Sequence, residues 1–258
     1  MINYNFTHYD SLDSTNSEVK RLCQQDYPEG TVVVAATQTV GRGRLGRRWI
    51  SPPGNLYFSI LLRPKVSLDV LSQLALVGGL ALAKTIKYYM GDTCRVTLKW
   101  PNDILVNLQK IAGILIETDM DSCLIEGTPC YLGIGVNMER APELTAYPAI
   151  AFKDFVTPIP DTAEFLNNFV INFNSMYVTW QEEGFVVLRD EWLSFAHGLG
   201  EFIVATAGKE GQIEGEFLTI TEAGSLILLD ENEKEHIISS SEVTFPDIED
   251  RLGFINKN

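Results

Sequence analysis

Two strand-like segments, 31–37 and 56–62, flank the stretch Gly41-Arg42-Gly43-Arg44-Leu45-Gly46-Arg47-Arg48-Trp49, and this order constrains the fold more than any other feature of the chain. The spelling satisfies G-x-G-x-x-G, the dinucleotide fingerprint. That fingerprint needs a helix to start at the glycines, so that a pyrophosphate can sit on its N-terminus. Here the turn Ile50-Ser51-Pro52-Pro53-Gly54-Asn55 follows instead, and then a strand. The context rules out a Rossmann domain. Three glycines let a backbone approach a ligand closely and take positive φ, and four arginines fall within the seven residues 42–48. Two readings remain: a loop that wraps an anionic small molecule, or an RG-type nucleic-acid contact.

Charge weighs against the second. The 20 Lys and Arg are outnumbered by 34 Asp and Glu, for a net charge of −14, whereas nonspecific binding to nucleic acid or anionic membrane runs on excess Lys and Arg. With 258 residues, 45% of them hydrophobic, the chain can bury a full core as one large or two smaller domains. Met1-Ile2-Asn3-Tyr4-Asn5 shows no basic or apolar signal region. No apolar run reaches the roughly 18 to 20 residues of a membrane span. Cys23, Cys94, Cys123 and Cys130 form no C-x-x-C and read as buried free thiols of a reducing cytoplasm. His8, His197 and His236 stand at no zinc-ligand spacing.

Along the chain, Thr15 and Glu18 fit a capping box for an amphipathic helix through Val19, Leu22 and Cys23. A long helix is expected over 67–90, with Gly78-Gly79 packed closely against a sheet. Segments 95–100, 104–106 and 110–117, separated by the turns Pro101-Asn102-Asp103 and Asn107-Leu108-Gln109, predict an antiparallel meander. Lys110 opens the last of these, and Gly113 inside it suggests close approach by another group. A further strand, 131–138, carries two glycines and has a polar end at Asn137. Residues 142–160 are loop-rich. Asp161 opens a long helix whose stripe of Phe165, Phe169, Phe173, Met176, Tyr177 and Trp180 reads as core, and a shorter helix covers 185–195. Beyond Gly200, five short strands separated by Gly, Asp, Asn and Glu predict a small β-barrel.

Three motifs now stand in series: Gly41-Arg42-Gly43-Arg44-x-Gly46-Arg47-x-Trp49, Lys99-Trp100-Pro101-Asn102-Asp103 with Lys110-x-Ala112-Gly113, and Gly133-x-Gly135-x-Asn137. With Ser14-Thr15-Asn16 upstream they resemble the biotin–protein ligases, and the likeness covers essentially the whole chain. The resemblance implies an α+β fold: a mixed β-sheet flanked by helices, of the class II aminoacyl-tRNA-synthetase and lipoate-ligase type. A catalytic domain over 1–197 is then followed by an SH3-like barrel over 198–258. It implies a two-step reaction in which biotin and MgATP, the magnesium entering as part of the substrate complex, give biotinyl-5′-AMP and pyrophosphate. The biotinyl group then passes to one lysine of a biotin carboxyl carrier domain. No permanently bound cofactor, nucleic acid or membrane is expected, and a homodimer is allowed. The chain begins at the catalytic core, so the expectation is a short cytoplasmic form without repressor function.

Step one brings a carboxylate against an α-phosphate, and fixed cations must offset that repulsion. Arg44 and Lys110 are the expected pair: arginine bridges two oxygens with a planar fork, and lysine acts as a point charge. By the resemblance, Ser14, Thr15, Asn16, Gln38, Gly41 and Gly113 line the biotin pocket, and the Arg42 backbone meets biotin. Arg47, Trp49, Lys99, Asn102 and Asn137 belong to the nucleotide side, with Trp49 near adenine. Asp103 either helps hold Mg²⁺ or closes an Asx turn. The loop is expected to be mobile when empty and to close over the adenylate. Leu45 departs from the family pattern, where some members carry another arginine. A lipoate–protein ligase of the same architecture and a non-catalytic biotin binder are the competing readings. Label transfer from lipoate would favour the first, and absence of biotin-dependent pyrophosphate exchange the second.

Overall fold

The computed structural model describes residues 2–119, 127–143, 147–206 and 211–245. β-Branched and aromatic runs form the first seven strands: β1 (Asn5–Tyr9), β2 (Thr31–Ala35), β3 (Leu56–Leu62), β4 (Val96–Lys99), β5 (Asp103–Val106), β6 (Gln109–Thr118) and β7 (Cys130–Val136). They make one sheet in the order β1-β2-β3-β7-β6-β5-β4. Only β1 and β2 run parallel, joined through helix α1 (Thr15–Cys23), and the meander β4-β5-β6-β7 is antiparallel as its turns require. The sheet is mixed, as expected. Asn107 and Leu108 both take positive φ, the conformation of a tight hairpin turn.

Each face of the sheet has its own cover. Helix α2 (Gln73–Met90) is apolar almost all round and packs with α3 (Thr162–Glu183) on one face, burying Phe58, Leu132, Val136 and the aromatic stripe of α3 in a common core. A Cβ on Gly78 would lie 3.3 Å from Leu132, so the glycine pair does seat the helix close on the sheet. The stretch Leu68–Thr93 is long and apolar enough to cross a membrane, but it is the central core helix, 72% buried. Asp161 caps α3 by accepting from the Ala163 and Glu164 amides, and α4 (Val186–Ser194) follows after Gly184. The opposite face carries α1 over Val33, Leu61 and Tyr131.

The expected capping box at Thr15 and Glu18 does not form. Helix α1 starts one residue earlier in register, with Ser14 at the N-cap and no side-chain cap. Glu18 is instead drawn to Arg21 and Tyr9, and Thr15 turns into the molecule toward Gln38. Cys23 and Cys130 are buried free thiols; Cys94 is only half-buried, and Cys123 lies outside the described residues.

Strands β8 (Phe202–Thr206), β9 (Gln212–Ile220), β10 (Leu226–Leu229), β11 (Glu235–Ile238) and β12 (Glu242–Thr244) form a second, antiparallel sheet in the order β11-β10-β9-β8-β12. This is the small all-β unit that the turn spacing predicts, and it is consistent with the SH3-like domain that the resemblance implies. Its apolar face, including Phe217, Leu228 and Phe245, is continuous with the main core. Polar bonds add to that seam: Trp100 Nε1 donates to the Gly224 carbonyl at 3.0 Å, and the His197 amide to the Leu98 carbonyl at 2.8 Å.

Candidate functional site

One cavity of about 440 Å³ opens between the N-terminus of α1, the arginine loop, the inner ends of β5, β6 and β7, and β12 of the second sheet. Every residue singled out from the sequence lines it except Gly41. Gly41 is buried behind the wall instead, where a Cβ would sit 2.5 Å from the Trp49 carbonyl oxygen.

The first wall is polar but uncharged. Thr15 donates through its amide to Gln38 Oε1 at 2.9 Å, with its hydroxyl oxygen 3.2 Å from the same atom, while Gln38 Nε2 donates to Ser51 Oγ at 3.0 Å. Ser14, Thr15 and Asn16 are each less than 5% exposed. Burying such groups requires partners, and Ser59 supplies them for Thr15 and Asn16, with its Oγ 2.7 Å from Thr15 Oγ1 and 2.6 Å from Asn16 Oδ1.

Glycines shape the floor. Gly113 of β6 pairs with Gly135 of β7, and together they leave a slot for the Trp49 indole; a Cβ on Gly135 would fall 2.5 Å from that ring. Gly133, two residues away on the same face, makes room for the Asn16 carboxamide. The Trp49 Nε1 is buried and without a partner among the described residues.

The far wall is cationic. Lys110 Nζ lies 2.6 Å from Asp103 Oδ1 and 5.2 Å from the centre of the Trp49 ring. Its backbone is clamped: its amide donates to the Pro148 carbonyl at 2.7 Å, and its carbonyl accepts from Ile150 at 3.0 Å. Asn137 Nδ2 donates to the Ile150 carbonyl at 3.1 Å, so Asn137 braces this turn as well as facing the cavity. Lys99 is 3.9 Å from the centre of the Tyr147 ring. Asn102 donates to the Ile114 carbonyl at 2.8 Å and accepts from Arg44 Nη1 at 3.1 Å.

The arginine loop closes on itself, with the Gly43 amide donating to the Arg47 carbonyl at 2.7 Å and the Trp49 amide to the Gly41 carbonyl at 2.9 Å. Of its three glycines only Gly46 has positive φ, at 74°; Leu45 shares the left-handed region at 55° and is 74% exposed. Gly43 is extended (φ −113°), a conformation that any residue adopts. Three arginines moor the loop at different points. Arg42 pairs with Glu117, Arg47 with Glu242, and Arg44 donates to the Ser241 carbonyl at 3.3 Å and to Ser240 Oγ at 3.4 Å. Burial pushes the Arg44 guanidinium below its ordinary pKa against the pull of Asp103 and Glu242, whereas the bond to Glu242 pushes Arg47 up.

Among the described residues no three His, Cys, Asp or Glu side chains converge as a metal site. The carboxylates lining the cavity are Asp103 and Glu242, each paired with a cation.

Sequence reasoning missed Ser59, Glu117, Tyr147 and the second-sheet residues Ser240 to Glu242. Two of these carried a signal. Ser59 is the one polar residue in the apolar run 56–62, and strand alternation puts Glu117 on the face of Gly113. Nothing local marks Glu242, because its partner lies 195 residues away.

Comparison with known proteins gives a consistent set of matches. Residues 9–137 match the profile of the Biotin/lipoate A/B protein ligase family, and residues 198–245 that of the Biotin protein ligase C terminal domain. A biotin–[acetyl-CoA-carboxylase] ligase of Paracoccus denitrificans is 34% identical over 238 residues, 90% of this chain and 97% of that protein. The bifunctional ligase/repressor BirA of Bacillus subtilis is 32% identical over 92% of this chain and 72% of its own length. Among solved structures, the biotin protein ligase of Aquifex aeolicus in complex with biotin and ATP superposes with a TM-score of 0.81 at 30% identity, covering 93% of this chain and 99% of that one.

Proposed function

The chain belongs to the Biotin/lipoate A/B protein ligase family, and from that premise we propose that its cavity joins biotin to AMP and passes the biotinyl group to a lysine of a biotin carboxyl carrier domain. The enzyme is an ATP-dependent biotin–protein ligase. One observation carries the assignment of its site: Arg44 and Lys110, from a loop and a strand far apart in the chain, face the same cavity opposite a wall of neutral donors and acceptors.

The two ends suit the two halves of the adenylate. A ureido group has N–H donors and a carbonyl acceptor that need polar partners when buried, and the Ser14, Thr15, Asn16 and Gln38 wall offers both kinds. The carboxylate then points toward the cations. An oxygen of that carboxylate attacks the α-phosphorus, a P–O bond forms, and pyrophosphate leaves. In the second step the carrier amine attacks the acyl carbon and AMP leaves. Both steps gather negative charge where Arg44 and Lys110 stand, and preorganised cations lower such barriers most. Each cation has partners in the cavity wall: Lys110 has Asp103, and Arg44 has Asn102, Ser240 and Ser241. Substrate binding is an exchange of partners, so it avoids stripping a bare charge of all its contacts.

Arg47, Trp49, Lys99, Asn102 and Asn137 are assigned to the nucleotide. The Trp49 indole offers a flat face, and its orphan N–H an extra donor. Magnesium arrives on ATP, with Asp103 the carboxylate at hand once Lys110 turns to phosphate. The Arg42 side chain closes the loop. Residues 1–197 act as the catalytic domain and 198–258 as the SH3-like domain, whose turn before β12 supports Arg44 and whose Glu242, the first residue of β12, pairs with Arg47.

The test is incubation with biotin, MgATP and a carrier domain, scored by mass gain on a single lysine. Gain with lipoate instead of biotin, or none with either, defeats the reading. Gly135→Ala tests the indole slot. Its methyl must displace Trp49, and overpacking of this kind costs about 1–3 kcal/mol. The KM for ATP is expected to rise at least severalfold while biotin binding without nucleotide holds; an unchanged KM for ATP removes Trp49 from the nucleotide site.

A further inference from the structure

The polar groups behind the cavity form a hydrogen-bonded chain whose direction is set at its carboxylate end, Glu117. At one end the Thr15 amide can only donate, so Gln38 must present Oε1 to it, at 2.9 Å. At the other end the Glu117 carboxylate can only accept, so Asn16 must turn its Nδ2 toward it, at 2.7 Å. Asn16 Oδ1 then takes the Ser59 hydroxyl proton at 2.6 Å. That leaves the Ser59 oxygen as acceptor for Thr15 Oγ1, 2.7 Å away. The same carboxylate also grips the arginine loop through both ends of one guanidinium: Arg42 Nη2 at 2.8 Å and Nε at 3.2 Å, with Arg42 Nη1 donating to Ser17 Oγ at 2.9 Å.

We propose that Glu117 is a positioning residue for the biotin pocket: by accepting from Asn16 it sets which atoms of Asn16, Ser59 and Thr15 donate, and by pairing with Arg42 it ties that pattern to the loop. This deepens the biotin-ligase reading of the cavity and rests on it. The two contacts differ in weight. The ion pair is half-exposed, at 34% for Glu117 and 37% for Arg42, and contributes little alone. The Asn16 bond is the stronger lever, because Asn16 is 3% exposed and a buried donor left unpaired is costly. Without Glu117 the Asn16 carboxamide loses its reason to keep one orientation, and a flip reverses the Ser59 and Thr15 protons.

Two variants separate these contributions, each measured for biotin affinity without nucleotide, for KM of ATP and kcat at saturating biotin, and for thermal stability. In Glu117→Ala, biotin affinity is expected to fall roughly tenfold or more, while KM for ATP and kcat move by less than about twofold. Glu117→Gln keeps an acceptor for Asn16 but turns an amide toward Arg42. Its affinity is expected between wild type and Glu117→Ala, with more hydrolysis of the adenylate relative to transfer. A merely structural role would lower thermal stability and degrade the biotin and ATP constants together, and that outcome overturns the proposal. So does Glu117→Ala with wild-type biotin affinity. If Glu117→Ala does not fold, a Glu117→Gln protein identical to wild type in affinity and in leakage overturns it equally. Wild-type protein that binds no biotin at all sinks the functional reading itself, a result distinct from either.

Discussion

Lys110→Met is expected to slow biotin-dependent pyrophosphate exchange by roughly a hundred- to a thousandfold, the usual loss when one preorganised group that stabilises developing charge is removed. Methionine keeps the length and apolar stem of lysine and discards only the charge. The loss has two parts. The ammonium no longer offsets the repulsion between carboxylate and α-phosphate, and the Asp103 carboxylate, 2.6 Å from Nζ in the native protein, is left unpaired in the cavity. An uncompensated anion there repels both substrates. Asp103→Asn added to Lys110→Met should therefore recover part of the rate. Lys110→Arg should recover less than full activity although it restores the charge, because the clamp on the Lys110 backbone by Pro148 and Ile150 fixes the origin of the side chain, and a planar fork does not reach the same point as an ammonium. Lys110→Met that exchanges pyrophosphate within about tenfold of wild type would remove Lys110 from the chemistry.

How much of this was legible in the sequence depended on whether a residue's role is fixed by its neighbours along the chain. Most of the sheet was legible because 31–37, 56–62 and the meander carry period-two or fully apolar runs punctuated by turn residues. The observed strands match those runs to within a residue or two at their ends, whereas β1, an edge strand with mostly exposed side chains, carried no such pattern. The cavity wall was legible through motif, and all but Gly41 of the named residues face it. What failed was local inference applied to residues with distant partners. Thr15 and Glu18 have the spelling of a capping box, yet Gln38, 23 positions away, competes for the Thr15 hydroxyl, and Arg21 for Glu18. The loop glycines leave the backbone free to take positive φ, but the sequence did not say where the bend would fall, and it falls at Leu45 and Gly46. Glu242 and Ser241 were invisible because the tie between the arginine loop and the second sheet exists only after both have folded. Sequence pattern reports faces and turns; it does not report which charge will stand opposite which.

The strongest pH dependence of stability is expected from His197, at the seam between the two sheets. Its ring is 2% exposed, sits 4.2 Å from the Phe245 ring, and its Nε2 has no partner among the described residues. Burial first, then the positive charges of Lys99 and Arg95, hold its pKa at about 4 against an ordinary 6.5. The folded pKa lies below the unfolded one, so between these values the unfolded chain binds the proton and the folded chain does not. Stability is therefore unaffected above pH 6.5, falls as pH drops from 6.5 toward 4, and levels off below that. A shift of this size corresponds to about 3 kcal/mol, a large share of what a domain has to lose. Asp13, held at about 2 chiefly by its bond to Arg21, also loses its contribution on acidification, but only below its ordinary 3.8. The two windows do not overlap. Urea unfolding at a series of pH values should thus show a falling midpoint between pH 6.5 and pH 4 in wild type. His197→Phe, which keeps a flat ring against Phe245 and has no site to protonate, should remove most of that slope. An equal slope in wild type and His197→Phe would mean that the buried imidazole does not govern the acid limit of the fold, and that the seam between the sheets tolerates a charge which its two neighbouring cations and its apolar packing should repel.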